Sequence, residues 1–165
     1  MVDSYRYLSP ASTAIVKMLI ASAPAEPVPW MPLSRPLSQA RIALVSTAAL
    51  SLRTDPPFDT AGERANPWWG DPSYRVIPRT ATERDVIASH LHIETAYLER
   101  DLDVILPLRR LADLADEGFL GCAAPSHYSV QGYLLDPTEF LATSVPPLID
   151  RMKREEVDAA VFLPV

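Results

Sequence analysis

The apolar residues of this chain fall into short continuous runs separated by polar or proline-rich stretches, a pattern typical of buried strands. The run "ARIALVSTAAL" at 40–50 is rich in branched residues and predicts a buried parallel strand that leads into a polar loop. The segment "YRVIP" at 74–78 predicts a short strand that ends at proline. The segments "FLGCAA" at 119–124 and "VDAAVFLPV" at 157–165 predict two further buried strands.

Helical periodicity appears between these strands. Residues 106–118 place leucines on one face and end at Gly118, which predicts a helix with a glycine stop. The sequence "DPTE" predicts a second helix with Asp136 at its N-cap, interrupted by a proline pair and resumed at 147–156. Residues 11–22 predict a short amphipathic helix. The alternation of strands and helices predicts an α/β fold, layered, with a mostly parallel sheet and flanking helices.

Two stretches lack any regular pattern. Residues 24–37 contain five prolines and predict an extended, proline-rich N-terminal arm of the kind that covers a neighbouring subunit. Residues 51–70 show no periodicity and predict a long irregular loop, which is usually functional in a compact domain. We therefore divide the chain into an N-terminal helix and arm over 1–39 and an α/β domain over 40–165.

Residues 80–93 allow two interpretations. The sequence "TATE" at 80–83 is a capping box that would open a helix, whereas 85–93 alternates as a strand does. The choice affects function, because a strand would place His90 and His92 on one face and a helix would separate them. The local alternation favours the strand.

Composition narrows the class of protein. The 165 residues suit one domain, and the net charge of −6 argues against binding to nucleic acid or to anionic membranes. A single cysteine cannot form an internal disulfide, so no oxidising compartment is required. No apolar run approaches the ~20 residues of a membrane span, and we expect a cytoplasmic protein.

The three histidines are the first candidates for chemistry. His90, His92 and His127 all lie near polar turn residues and could form a divalent-metal site with an acid such as Asp71, Glu94 or Asp101. They could equally be hydrogen-bonded histidines at strand ends. The interpretation that we prefer makes them general bases or donors to a substrate carboxylate, which requires no third ligand.

Cys122 and Arg75 are the other candidates. Cys122 could be a nucleophile activated by His127, but its apolar surroundings favour a structural role. Arg75, in "GDPSYRVIP", could bind a carboxylate through both of its amino groups, or could simply pair with Asp71 in a surface turn.

Six landmarks, in order, give the chain a family resemblance: "ALVSTAAL…RTDPPFD", "GDPSYRVIP", "SHLHI", "DLDVILPLRRLADLADEGFLG", "APSHYSVQGY" and "VDAAVFLPV". Together they resemble the glycine/sarcosine/betaine reductase and D-proline reductase selenoprotein B family, from about Pro27 to Val165. The resemblance implies an α/β fold and an oxidoreductase that reductively cleaves a carbon–heteroatom bond in a small amino-acid-like substrate. It also implies a selenol or thiol nucleophile that receives electrons from a dithiol partner.

The resemblance also implies a set of site residues and partners. The polar positions of the family's motifs correspond to Arg75, His90, His92, Asp101 and His127. In the family the chain continues beyond the strand at 157–165 into the segment with the redox-active selenocysteine or cysteine. We therefore expect that segment to be missing, or a partner subunit in a homo- or hetero-oligomer to supply the thiol or selenol. The alternatives are a non-catalytic binding or scaffold subunit and a histidine-dependent metalloenzyme. The predicted residues are His127, His90, His92 and Cys122 as catalytic, and Arg75, Tyr74, Asp101 and Tyr128 as substrate-binding.

Overall fold

The computed structural model describes residues 5, 6, 8–22, 30–66 and 68–165, and the chain separates into two compact units, Met1–Pro32 and Leu33–Val165. In the first unit, helix α1 spans Pro10–Ser22 and confirms the helix predicted there. The predicted arm lies partly outside the described residues and is not confirmed, and the division at residue 39 stays a prediction. Among the described residues, no helix is both long and apolar enough to cross a membrane.

The second unit is built on a curled five-stranded sheet, which confirms the predicted α/β class with mostly parallel pairing. Its central strand, β1, pairs in parallel with β5, β6 and β7, and β3 joins β6 in antiparallel orientation. Strands β2 and β4 form a separate antiparallel pair. The strands are β1 Arg41–Ser46, β2 Leu50–Leu52, β3 Tyr74–Pro78, β4 Val86–Ala88, β5 Cys122–Ala123, β6 Ser126–Val130 and β7 Ala159–Leu163.

Helices flank this sheet, and alternation along β1 divides the core between its two faces. Ile42 and Leu44 belong to the larger apolar cluster, whereas Ala43 and Val45 pack with Leu148 in the smaller one. Gly118, with φ of 79°, follows α3 as predicted. The helices are α2 Thr60–Ala65, α3 Leu108–Asp116, α4 Thr138–Thr143 and α5 Val145–Arg154, with 3₁₀ turns at Leu37–Gln39, Thr95–Tyr97 and Leu102–Val104.

The strand predicted over 85–93 is wrong for most of its length. Strand β4 covers only Val86–Ala88, and the two histidines lie in the turn that follows. Its partner β2 begins at Leu50, and the pairing ends one residue earlier, with a 2.9 Å hydrogen bond from the Ser89 N–H to the Ala49 carbonyl. Ala49 has a φ of 51°, outside the extended region, so the chain beyond Ser89 has no strand to pair with.

Two other expectations need correction. The segment 51–70 contains a short helix, α2, because the Asp59 carboxylate caps it by accepting a hydrogen bond from the Gly62 N–H at 2.8 Å. Strand β7 is not buried: Val161 is 46% and Phe162 69% exposed. Among the described residues β7 pairs only with β1, so it lies at the edge of the sheet, where outward-facing side chains have no neighbouring strand.

Candidate functional site

A buried carboxylate on α2 forms the centre of a polar network. The Glu63 side chain is only 2% exposed, and its Oε1 lies 2.9 Å from Nε2 of His92, which is 55% exposed. Its second oxygen, Oε2, accepts a hydrogen bond of 2.6 Å from Nε2 of Gln131. A carboxylate only accepts hydrogen bonds, so an ionised Glu63 requires the imidazole hydrogen on Nε2 of His92. The Nδ1 atom, with no hydrogen-bond partner among the described residues, keeps its lone pair for a ligand or solvent.

Gln131 connects this carboxylate to a second acid. Gln131 directly follows β6, and its Oε1 accepts a 2.6 Å hydrogen bond from the Asp71 N–H. The Asp71 carboxylate in turn accepts hydrogen bonds from the N–H groups of Ser73 at 2.8 Å and Asp59 at 2.9 Å, and from the Ser73 hydroxyl. Burial alone would raise the pKa of Asp71, but the hydrogen bonds from Ser73 and Asp59 outweigh it and lower the pKa. Asp71 therefore anchors both Gln131 and the start of α2, from which Glu63 projects.

The histidine turn after β4 presents both of its imidazoles to this network. The His92 N–H donates a 3.1 Å hydrogen bond to Nδ1 of His90, and the two rings meet edge to face with centroids 5.8 Å apart. The His92 ring also lies 4.9 Å from the Tyr133 ring. Burial, together with the neighbouring His92, lowers the pKa of His90 despite the opposing effect of Glu63. The predicted pair of histidines is thus brought together by a turn and not by a strand.

Close backbone approaches join the segments that carry these residues. A Cβ added to Gly70 would lie 1.9 Å from the Tyr133 carbonyl oxygen, and one added to Gly132 would lie 2.9 Å from the Thr47 Cβ. Glycine is therefore required where the loops after β1 and β6 and the loop before β3 converge. This convergence lies at the carboxyl edge of the parallel strands, where ligands typically bind in α/β sheets.

Arg75 lies near this edge but is engaged with the protein. Its Nε donates to the Pro56 carbonyl at 2.8 Å, its Nη2 to the Pro57 carbonyl at 3.2 Å and its Nη1 to the Ser73 hydroxyl at 2.8 Å. Its guanidinium also lies 4.4 Å from the centre of the Phe58 ring. These contacts hold the loop before α2, and the binding of a substrate carboxylate by Arg75 stays a prediction.

His127 and Tyr128 lie in the middle of β6, inside the protein. His127 is fully buried, its Nδ1 accepts a 3.0 Å hydrogen bond from the Leu44 N–H, and its Nε2 has no hydrogen-bond partner. Burial lowers the pKa of His127 to about 4. Tyr128 points to the opposite face, where its ring lies 6.4 Å from that of Tyr74 and where burial raises its pKa to about 12. The structure does not bring these residues to the Glu63 network, and their roles stay predictions.

The two remaining predicted residues also lie in other contacts. The Cys122 sulfur accepts a 3.5 Å hydrogen bond from Nε of Arg41 at the amino end of β1. Asp101 caps a 3₁₀ turn by accepting a hydrogen bond from the Asp103 N–H at 3.1 Å, and it pairs with Arg109 at 3.2 Å. Catalytic and substrate-binding roles for Cys122 and Asp101 stay predictions, without direct contact with the network.

The described residues contain no group of three or more histidine, cysteine, aspartate or glutamate side chains placed to hold a metal ion. The proposed set of His90, His92 and His127 fails this geometric requirement, because the third histidine is enclosed in the sheet. The metal hypothesis therefore finds no support in this part of the chain.

Sequence reasoning missed the two central residues, Glu63 and Gln131. Glu63 lies in a segment without periodicity, so its helix, α2, was not predicted. Asp59 is a typical N-cap residue and could have indicated the start of this helix. Gln131 directly follows β6, a strand that the sequence analysis did not predict, so its position at the carboxyl edge of the sheet could not be anticipated.

Comparison with known proteins gives one distant relative. The chain is 30% identical over 140 residues to D-proline reductase subunit gamma of Acetoanaerobium sticklandii, a match that covers 84% of this chain and 54% of the relative. The chain thus spans about half the length of that curated relative. No family model and no solved structure matches. The match shows a distant relation to a reductase subunit and agrees with the family resemblance of the sequence.

Proposed function

We propose that this chain is a subunit of a reductase-type oxidoreductase that reductively cleaves a carbon–heteroatom bond in a small amino-acid-like substrate. The relation to a D-proline reductase subunit supports the reaction class. The Glu63–His92 pair supports a site for proton transfer at the carboxyl edge of the sheet. The nucleophilic thiol or selenol belongs, in this proposal, to a partner subunit or to a segment outside these residues.

In this proposal the residues of the Glu63 network donate a proton to the reaction, and the electrons come from elsewhere. Cleavage of a carbon–nitrogen bond to a C–H and an N–H group consumes two electrons and two protons. The electrons come from a dithiol or selenol–thiol pair, which is oxidised to the corresponding disulfide or selenenyl sulfide. We assign to His92, in its protonated form, the delivery of a proton from Nδ1 to the leaving nitrogen.

The single observation that carries this assignment is the hydrogen bond between a buried acid and a half-exposed imidazole. Glu63 fixes the orientation and tautomer of His92 and stabilises the imidazolium that forms when the ring takes up a proton. Gln131 and Asp71 hold the Glu63 carboxylate in position. His90 supports the turn through its Nδ1, which accepts a hydrogen bond from the backbone N–H of His92.

The test is an activity assay of the complex assembled with reductase partner subunits, with a dithiol as reductant and D-proline as the first probe substrate. Glu63→Gln keeps the size of the side chain and removes its charge, and we expect kcat to fall by about a hundredfold. Glu94→Gln is the matched control, because this exposed glutamate makes only a local 3.0 Å hydrogen bond to the Ala96 N–H.

Equal activity of the two variants would contradict the assignment of Glu63. A complex that assembles but never turns over any cyclic or N-substituted amino acid would instead indicate a non-catalytic scaffold subunit. Binding of the partner subunits by both variants, measured in the same preparations, separates loss of chemistry from loss of assembly.

A further inference from the structure

A polar cavity lies at the edge of the sheet opposite the Glu63 network, where β1 and β7 begin. It has a volume of about 400 Å³, and three basic side chains, Arg35, Arg41 and Lys153, line it. Two acids, Glu156 and Asp158, also line it, so positive side chains are in excess there although the chain as a whole carries −6. This cavity shares no residue with the Glu63 network.

The two acids orient the arginines without using all of their donors. Asp158 Oδ1 lies 3.1 Å from Nε of Arg35, and Oδ2 accepts a 2.8 Å hydrogen bond from the Arg41 N–H. Glu156 Oε2 lies 3.2 Å from Nη1 of Arg41. Among the described residues, both Nη atoms of Arg35, Nη2 of Arg41 and Nζ of Lys153 have no protein partner. Three cationic groups with unused donors thus surround one cavity.

The backbone at Glu156 supports a role for this arrangement. Glu156 ends α5 in the left-handed conformation with φ of 54°, where its N–H donates to the Lys153 carbonyl at 3.0 Å. Glycine fits this position of a helix without strain and would be the usual residue. A glutamate there keeps the carboxylate that lies 3.2 Å from Nη1 of Arg41, at the cost of backbone strain that glycine would avoid.

We propose that this cavity binds a small oxyanion, a carboxylate or a phosphate, between Arg35, Arg41 and Lys153. Guanidinium groups match the paired oxygens of both anions, and groups already held by salt bridges lose little freedom on binding. The lysine ammonium adds a charge without directional requirements. The proposal does not depend on the reductase assignment, since it concerns other residues at another edge of the sheet.

The single cysteine provides a reporter for the test, because Cys122 lines the same cavity. Iodoacetate and iodoacetamide both alkylate the sulfur with loss of iodide, but only iodoacetate carries a carboxylate. We expect the ratio of the iodoacetate rate to the iodoacetamide rate at Cys122 to be about fivefold higher than for a free cysteine derivative. Inorganic phosphate should protect Cys122 from both reagents.

Two neighbouring variants make the test specific. Lys153→Gln should lower the ratio of rates towards that of the free thiol, whereas Arg154→Gln should leave it unchanged. Both residues are exposed near the end of α5, and each substitution removes one positive charge. Lys153 lines the cavity, whereas Arg154 does not. A wild-type ratio equal to that of the free thiol, or the same ratio in both variants, would overturn the proposal.

If neither reagent reaches Cys122, the melting temperature decides the question. The proposal then requires inorganic phosphate to raise the Tm of the wild-type protein and of Arg154→Gln, and to raise it less in Lys153→Gln. Equal shifts in all three proteins would contradict it.

Discussion

His92 and His127 show how differently two histidines of one sheet are placed. His92 lies in a turn, more than half exposed, with Nε2 on a buried carboxylate and Nδ1 open. His127 lies in the middle of β6, fully buried, with Nδ1 occupied by a backbone N–H and no acid within hydrogen-bonding distance of Nε2. The difference teaches that a catalytic assignment depends on access and on a fixed partner, neither of which residue type or spacing reveals.

The two environments also differ in what a proton would do there. The His92 ring lies 2.9 Å from the Glu63 carboxylate and is 55% exposed, so both a buried acid and solvent reach it. A proton on His127 would be a buried charge without a counter-ion in contact, which is why its pKa falls to about 4. The proposed proton transfer uses the first setting, and the catalytic role predicted for His127 stays a prediction.

The largest expected effect comes from breaking the backbone convergence that builds the His92 environment. Gly70→Ala places a Cβ 1.9 Å from the Tyr133 carbonyl oxygen, and the backbone must move. We expect unfolding in urea to show a loss of about 4 kcal/mol. Gly118→Ala is the control: a Cβ there meets nothing within 4 Å, and the φ of 79° alone should cost about 1 kcal/mol. Equal losses in the two variants would contradict the close approach.

The second prediction concerns acid and the His127 environment. Between pH 6.5 and about 4, the unfolded chain takes up a proton on His127 that the folded protein excludes. The free energy of unfolding therefore falls as the pH falls through this window, by on the order of 3 kcal/mol in total. Urea titrations at several pH values should show a clearly shallower slope in His127→Gln than in the wild type, with the rest of the slope left to groups such as His90 and Asp71, whose pKa values are also lowered. An equal slope in the two proteins would contradict the contribution of His127.

A smaller effect should follow from removal of the amide that supports Glu63. Gln131→Leu leaves Glu63 Oε2 and the Asp71 N–H buried without their present partners, and we expect a loss of about 2 kcal/mol in the same urea experiment. Gln39→Leu is the matched control, because Gln39 is exposed, and its effect should be within about 0.5 kcal/mol. A neutral result for Gln131→Leu would show that the network is not needed to hold the carboxylate.

Much of the fold was predictable from the sequence because its main signals are local. The branched run of β1, the leucine periodicity of α3 and the glycine after it identify elements through hydrophobic pattern and backbone preference. The extent of β4 was not predictable, since it depends on where the partner β2 begins, a contact with a distant segment. The exposure of β7 likewise depends on its position at the edge of the sheet.

The candidate site was predictable only in part. His90 and His92 could be recognised as a pair from the sequence. Their neighbour Glu63 lies in a segment with no periodicity, and Gln131 lies at the end of a strand far along the chain from both. Hydrogen bonds across 29 and 68 residues leave no local pattern. Burial separated His127 from the other two histidines, and only the three-dimensional pairing of β6 with β3 and β1 determines that burial.

The most direct test of the Glu63–His92 pair is a long-range ¹H–¹⁵N NMR spectrum of the three imidazoles, recorded well above the usual histidine pKa of ~6.5. We predict that His92 carries its hydrogen on Nε2, with a resolved downfield proton resonance that moves upfield in Glu63→Gln and stays unchanged in Glu94→Gln. A hydrogen on Nδ1 of His92, or a resonance indifferent to the Glu63 substitution, would contradict the account.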